Sequence, residues 1–121
     1  MEVLGIRFCT VAAEAPELAE FLGQGLGLPA RDLGAAGDAF PGAVFPAGAG
    51  SWIEVWAEGP GMPAGTMLQI VVDDADAWAE RARKGGLEPQ GPMDAHGERI
   101  YYLQAPSGLA ISFQSRLVAE S

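Results

Sequence analysis

Residues 51–56, Ser-Trp-Ile-Glu-Val-Trp, set a carboxylate between two indoles at alternate positions. In a strand the side chains alternate faces, so Trp52, Glu54 and Trp56 share one side while Ile53 and Val55 take the other. The aliphatic pair suits a core. Two indoles flanking a carboxylate suit a cage for an aromatic or cationic molecule, each cation–π contact being worth about 0.5–2 kcal/mol. Glu54 alone has two candidate roles: a general base or the counter-charge of a bound cation. The plainer alternatives are an ion pair with Arg7 for the carboxylate and packing within the sheet or at a dimer interface for the indoles.

Two further residue types carry reactivity. His96, the only histidine, lies in PMDAHGER ahead of a strand and would titrate near neutrality as an acid or base; the simpler reading is an exposed loop residue. Cys9, the only cysteine, cannot close an internal disulfide and sits in an apolar stretch, where an inert buried thiol is expected. Arg99 is a candidate for the rim of a binding cleft or, more simply, a solvated strand residue. No Ser-His-Asp or Cys-His pattern, CxxC pair or phosphate-cradling loop is present, and the Gly-rich stretch at 34–50 lacks the spacing and following helix of a nucleotide loop.

Composition narrows the partners. Acidic residues outnumber Lys plus Arg by 16 to 7, for a formal net charge of -9. No basic cluster occurs, so neither nucleic acid nor an anionic membrane is an expected partner. Such a field attracts a cationic small molecule, although an acidic balance also serves solubility alone. The 121 residues, 49% of them apolar, suit a single domain that folds without a metal or disulfide staple. With no export segment or membrane-length apolar run, a cytoplasmic location is expected.

The elements that must position these residues follow from local pattern. VLGIRFCTVA reads as a strand. EAPELAEFLGQGLG reads as a helix, with Pro16 in its first turn, Leu18, Phe21 and Leu22 at helical spacing, and Gly25 and Gly27 ending it. From Pro29 to Gly50 the chain is loose and only GAVF looks strand-like, consistent with a loop plus one or two weak strands. After the WIEVWA strand and the turn-forming EGPGMPAGT, MLQIVV is a strand. Asp73 and Asp74 offer caps to the helix DADAWAERARKGG, whose apolar stripe is Trp78, Ala79 and Ala82. ERIYYL, the turn APSG and LAISFQ form a hairpin.

This order repeats. A shift of 60 lays Gly25–Pro29 on Gly85–Pro89, and a shift of 58 lays Ile53 and Val55 on Ile111 and Phe113. The halves read as copies of a βαβββ unit: module 1 at about 1–57, a linker at about 58–65 and module 2 at about 66–116. The fold class expected is therefore α+β, with two βαβββ modules forming curved mixed sheets around a cleft. Trp52, Glu54 and Trp56 would line it, matched in the second half by Ala110, Ser112 and Gln114.

At this level the chain resembles the vicinal oxygen chelate superfamily, the glyoxalase, bleomycin-resistance and extradiol dioxygenase group. The resemblance is strongest in MLQIVVDD, DADAWAERARKGG, GLEPQGP and GERIYYLQAPSGLAISF, and weaker in ELAEFLGQGLGL and WIEVW. It implies a homodimer. It also implies a divalent metal held by two first-strand residues, usually His, and two last-strand Glu. Those positions fall here on Arg7, Met67, Glu54 and Ser112, so one ligand type of four survives and no metal or other cofactor is expected. His96 and Tyr102 come near the cleft by resemblance to the fosfomycin-resistance branch. The expected function is metal-independent binding of a small aromatic or cationic molecule by Arg7, Trp52, Glu54, Trp56, Met67, Gln69, Tyr102 and Ser112, with sequestration of an antibiotic or toxic metabolite as its use. Two alternatives stand: a glyoxalase-type lyase, isomerase or dioxygenase with an altered metal site or with Glu54 and His96 as catalytic acid and base, and an accessory or regulatory domain whose cleft completes a dimer.

Overall fold

The computed structural model describes residues 1–31 and 40–117. In chain order the elements are β1 (Val3–Ala12), α1 (Ala15–Glu20), which runs on as a π-helical turn (Phe21–Gly25), β2 (Ala43–Pro46), β3 (Trp52–Ala57), β4 (Gly65–Val72), α2 (Ala75–Lys84), β5 (Gln90–Ala95), β6 (Glu98–Gln104) and β7 (Ala110–Arg116). The chain divides into two compact units, one of residues 7–66 and the other of residues 1–6 and 67 onward. Among the described residues no helix is long and apolar enough to cross a membrane.

In the unit of residues 7–66 the strand order is β2-β3-β1. β1 runs parallel to β3, with Arg7 opposite Trp52, Cys9 opposite Glu54 and Val11 opposite Trp56; β2 is antiparallel to β3. Alternation then assigns the faces. Ile53, Val55 and Phe45 pack with Ala15, Leu18 and Leu22 of the helical segment into one core, which leaves Trp52, Glu54 and Trp56 on the opposite side. Pro16 occupies the first turn of α1, where its missing N–H costs nothing. Phe21 departs from the expected apolar stripe and is 61% exposed, because the backbone from that residue widens into the π turn and the helical spacing no longer carries it onto the sheet.

In the other unit the order is β4-β7-β6-β5, β4 and β7 being parallel and the rest antiparallel. α2 starts at Asp74, whose carboxylate accepts the Ala77 N–H at 3.2 Å. Asp73 does different work: it accepts the Glu2 N–H at 3.0 Å and the Trp78 indole N–H at 3.2 Å, tying the chain start to the helix. Val72, Ala75, Ala79, Tyr101 and Phe113 form the core with Trp78 against it. The Tyr101 and Phe113 rings stack at 5.3 Å. Residues 90–95 pair with β6 as a strand and leave only His96 and Gly97 of the PMDAHGER stretch as the turn; the left-handed backbone of both residues closes that hairpin.

The internal repeat is visible in the registers. Met67 faces Ala110, Gln69 faces Ser112 and Val71 faces Gln114, the same pairs as Arg7–Trp52, Cys9–Glu54 and Val11–Trp56 after shifts of 60 and 58. The second half has three strands after its helix, as expected. The first shows two among the described residues; residues 32–39, part of the stretch expected to be a loop, lie outside them.

Candidate functional site

The open face of β3 carries one tightly connected group. Both indole N–H groups point inward along the strand onto the carboxylate between them. Trp52 Nε1 donates to Glu54 Oε2 at 2.5 Å, and Trp56 Nε1 donates to Glu54 Oε1 at 2.9 Å. On the neighbouring strand Cys9 stands directly opposite Glu54. Each oxygen of the carboxylate thus has an indole donor, and hydrogen bonds to an ionised acceptor are the stronger kind. Cys9 registers the cost: burial first, then the Glu54 charge and its hydrogen bond, push the thiol up to about 12. It stays protonated at neutral pH and is not a nucleophile, as its apolar surroundings in the sequence implied.

The two rings are fixed from different sides. The Arg7 guanidinium lies over the Trp52 ring, 3.9 Å from its centroid, and that of Arg31 lies at 5.2 Å. The backbone N–H of Arg31 donates to the Val44 carbonyl at 2.8 Å, holding this segment beside β2. Trp56 rests on Gly42, which is buried with φ +93°. A Cβ built at Gly42 would overlap Cε3 and Cζ3 of the indole and stand 3.1 Å from Cδ2. Only a glycine gives both the backbone conformation and the close approach.

In the second unit the equivalent face is a chain of neutral polar groups. Ser112 Oγ donates to Gln114 Oε1 at 2.9 Å, Gln114 Nε2 donates to Gln69 Oε1 at 3.2 Å, and Gln69 Nε2 approaches Met67 Sδ at 3.9 Å. Ser112 and Gln114 are almost wholly buried, at 1% and 2% exposure. Tyr102 is opposite Ser112 on this face, its hydroxyl 4.0 Å from Met93 Sδ. It also borders an open groove of about 650 Å³ whose other walls include Leu87, Glu88 and Gln90.

The expected site residues therefore form two groups: Arg7, Trp52, Glu54 and Trp56 in one unit, and Met67, Gln69, Ser112 and Tyr102 in the other. His96 joins neither. It is exposed at the β5–β6 turn, beyond the Glu98–Arg116 rung, whereas Tyr102 pairs with Ser112 four residues further along β6. Arg99 is not on the site face either. It shares the side of Tyr101 and binds Asp94 through two bonds and Asp76 through one, at 3.0, 3.2 and 2.9 Å. Tyr101 completes that cluster by donating to Asp76 at 2.6 Å, which together with Arg99 holds the Asp76 carboxyl below its ordinary range.

Sequence reasoning missed Cys9, Arg31 and Gly42 as parts of these groups, and placed Gln114 on the cleft face without counting it among the binding residues. For Cys9 a signal existed, since the shift of 60 lays it on Gln69, and Gln114 had already been matched to Trp56. Arg31 and Gly42 come from the loose stretch, where no periodicity specifies a neighbour.

The positions at which enzymes of this fold hold a metal can be tested half by half. Arg7 is a cation stacked on an indole, and Glu54 has both oxygens engaged by indole N–H groups. Met67 and Ser112 offer a thioether and a hydroxyl that bonds to Gln114. Among the described residues no three His, Cys, Asp or Glu side chains converge in a way that could hold a metal ion. The residues present do not fit the family's metal.

Comparison with known proteins agrees with the fold. No protein-family model matches the sequence, and no curated protein matches it. Solved structures do. A methylmalonyl-CoA epimerase from Mycobacterium tuberculosis aligns with TM-score 0.67 at 17% identity, over 96% of this chain and 90% of that one. A variant of Streptomyces coelicolor methylmalonyl-CoA epimerase, solved with 2-nitronate-propionyl-CoA, aligns with TM-score 0.65 at 15% identity, over 100% and 98%. A glyoxalase/bleomycin resistance protein/dioxygenase superfamily member from Vibrio splendidus 12B01 aligns with TM-score 0.60 at 15% identity, over 91% and 97%. The chain has the α+β fold of the glyoxalase and bleomycin-resistance proteins, as the sequence resemblance to the vicinal oxygen chelate superfamily implied.

Proposed function

We propose that this chain binds a small aromatic molecule against the Trp52–Glu54–Trp56 face without a metal, and that sequestration of an antibiotic or metabolite is its use. The observation that carries this reading is the double indole clamp on Glu54. A carboxylate so engaged is a weakened metal ligand, because part of its charge and acceptor capacity is already taken by charge-assisted bonds. What it does well is hold two large aromatic rings in fixed orientation, and preorganised rings bind planar ligands at low entropic cost. The indoles are part-buried, so neither is consumed by the core. The homodimer implied by the resemblance and the cytoplasmic location expected from the sequence belong to the same proposal.

The rival reading is an acid–base enzyme, favoured by the likeness to the two epimerases. Glu54 is its best base, and the two indole N–H groups bonded to that carboxylate stabilise its charged form and so make it a weaker base for the task. Nuclear magnetic resonance separates the readings. The three tryptophans give three indole N–H signals, and an aromatic ligand should move those of Trp52 and Trp56 while leaving Trp78. Trp52→Ala should lower affinity at least about fivefold with the fold retained. Equal affinity in that variant would make the indole structural and remove the proposal.

A further inference from the structure

We propose that Gln69 is a ligand-binding donor: its side-chain amide, aimed by the buried Ser112 and Gln114, selects a molecule with a neutral carbonyl oxygen. All these residues lie in the unit of residues 1–6 and 67 onward, so the inference does not depend on the role proposed for the Trp52 face.

Serine and glutamine are mostly surface residues, because burying a polar group demands a partner that an apolar side chain does not need. Ser112 and Gln114 are nonetheless only 1% and 2% exposed. Ser112 is opposite Gln69 across β7 and β4, and Gln114 follows two residues on along the same face. Apolar residues would fill this space without a network to satisfy. What the polar pair adds is control over how the Gln69 amide is turned.

The chain of bonds runs one way. The Ser112 hydroxyl donates to Gln114 Oε1 at 2.9 Å, and Gln114 Nε2 donates to Gln69 Oε1 at 3.2 Å. Reversing both amides would take the acceptor from the Ser112 hydrogen, on a buried side chain where that loss is costly. It would also turn the Gln69 oxygen toward Met67 Sδ, which lies 3.9 Å from Gln69 Nε2 and, as a thioether, has no hydrogen to donate. The N–H end of Gln69 is therefore the outer end. Among the described residues the thioether is its one acceptor, and a weak one, so a better acceptor displaces it at little cost. Gln69 itself is part-buried, which leaves this end within reach of a ligand while its oxygen is held.

A carbonyl oxygen is the group that fits. Unlike a hydroxyl, it brings no hydrogen in need of an acceptor of its own. No member of the chain Ser112–Gln114–Gln69–Met67 is charged, so an ion would give up water there without a counter-charge from the network. Met67 and Tyr102, on the same face by register, offer apolar surface to the body of such a molecule.

The test is a titration of ¹⁵N-labelled protein with acetophenone and ethylbenzene, probes of nearly equal shape of which only the first has a carbonyl. It is followed at the Gln69 side-chain amide and at the backbone amides of β4 and β7. Acetophenone should displace the Gln69 side-chain signals and bind at least about threefold more tightly than ethylbenzene. Gln69→Glu keeps an oxygen for Gln114 and removes the N–H, and should abolish that preference. Gln114→Leu frees the amide to turn, and should reduce the preference although the Gln69 N–H is still present. Equal or tighter binding of ethylbenzene, an undiminished preference in either variant, or unmoved Gln69 side-chain signals with acetophenone up to about 10 mM would overturn the proposal.

Discussion

Gly42→Ala is the sharpest probe of how this face is built, because the residue makes no contact through a side chain of its own. The added methyl meets two penalties. The backbone at φ +93° is one that L residues adopt only at a cost of about 1–2 kcal/mol. The Cβ would also overlap the six-membered ring of Trp56. Either the ring stays and the contact remains overpacked, at about 1–3 kcal/mol, or it retreats by ~1.5 Å to ordinary contact distance and loses its 2.9 Å bond to Glu54. A bond to a charged acceptor is worth about 1.5–3 kcal/mol. The two escapes are alternatives, so the total is about 2–5 kcal/mol, a large share of the 5–15 kcal/mol typical of a domain. In thermal denaturation followed by circular dichroism the midpoint should fall by about 8 °C or more, with the Trp56 indole signal displaced in the native spectrum. A fall of less than about 3 °C with an unmoved signal would refute the reasoning.

Other perturbations have equally definite outcomes. Glu54→Gln removes the second and third causes of the raised Cys9 pKa but leaves burial, so the thiol should ionise below about 12 yet still above its ordinary 9.0; ultraviolet thiolate absorbance against pH reads this, and an unchanged titration would disprove the Glu54–Cys9 contact. Asp76 is held below its unfolded value of 3.8 by the Tyr101 hydroxyl first and Arg99 after it. Its contribution to stability is therefore present above about pH 4 and lost as the pH falls through its lower folded value. Asp76→Asn should accordingly flatten the loss of stability on acidification, and an acid limb as steep as wild type would count against the cluster. His96→Ala should leave aromatic-ligand binding unchanged, and a weakened ligand would return the histidine to the site.

The α+β class and the repeat were legible because they are written in periodicity. Alternating residues in WIEVWA and LAISFQ assign the faces, and the two shifts even carry the strand registers. Glu54 was legible as the centre of the site, since a carboxylate between two indoles needs an explanation wherever it lies. Its hydrogen bonds were not, because alternation places three side chains on one face without saying which way each turns along the strand. The indoles turn their N–H edges to the carboxylate, and the Arg7 and Arg31 guanidinium groups lie at the ring of Trp52. Gly42 and Arg31 were invisible for a different reason. They act through tertiary contacts from a stretch rich in Gly, Ala and Pro, where composition permits many conformations and local pattern selects none. Arg99 was open between a cleft rim and a solvated strand residue; its parity along β6 matches Tyr101 and the helix side, a distinction that required the strand register to be fixed.

The central claim is that Glu54 orients two indoles and does not serve a metal. Calorimetric titration of chelator-treated protein with Zn, Mn, Ni and anaerobic Fe(II), repeated with Glu54→Gln, tests it most directly, with the indole N–H signals recorded at each endpoint. If Glu54 only orients the indoles, no stoichiometric binding occurs and the Trp52 and Trp56 signals stay unmoved. One equivalent of tightly bound ion that displaces both indole signals, and that Glu54→Gln abolishes, would contradict it and move the protein into the metal-dependent enzymes of its fold.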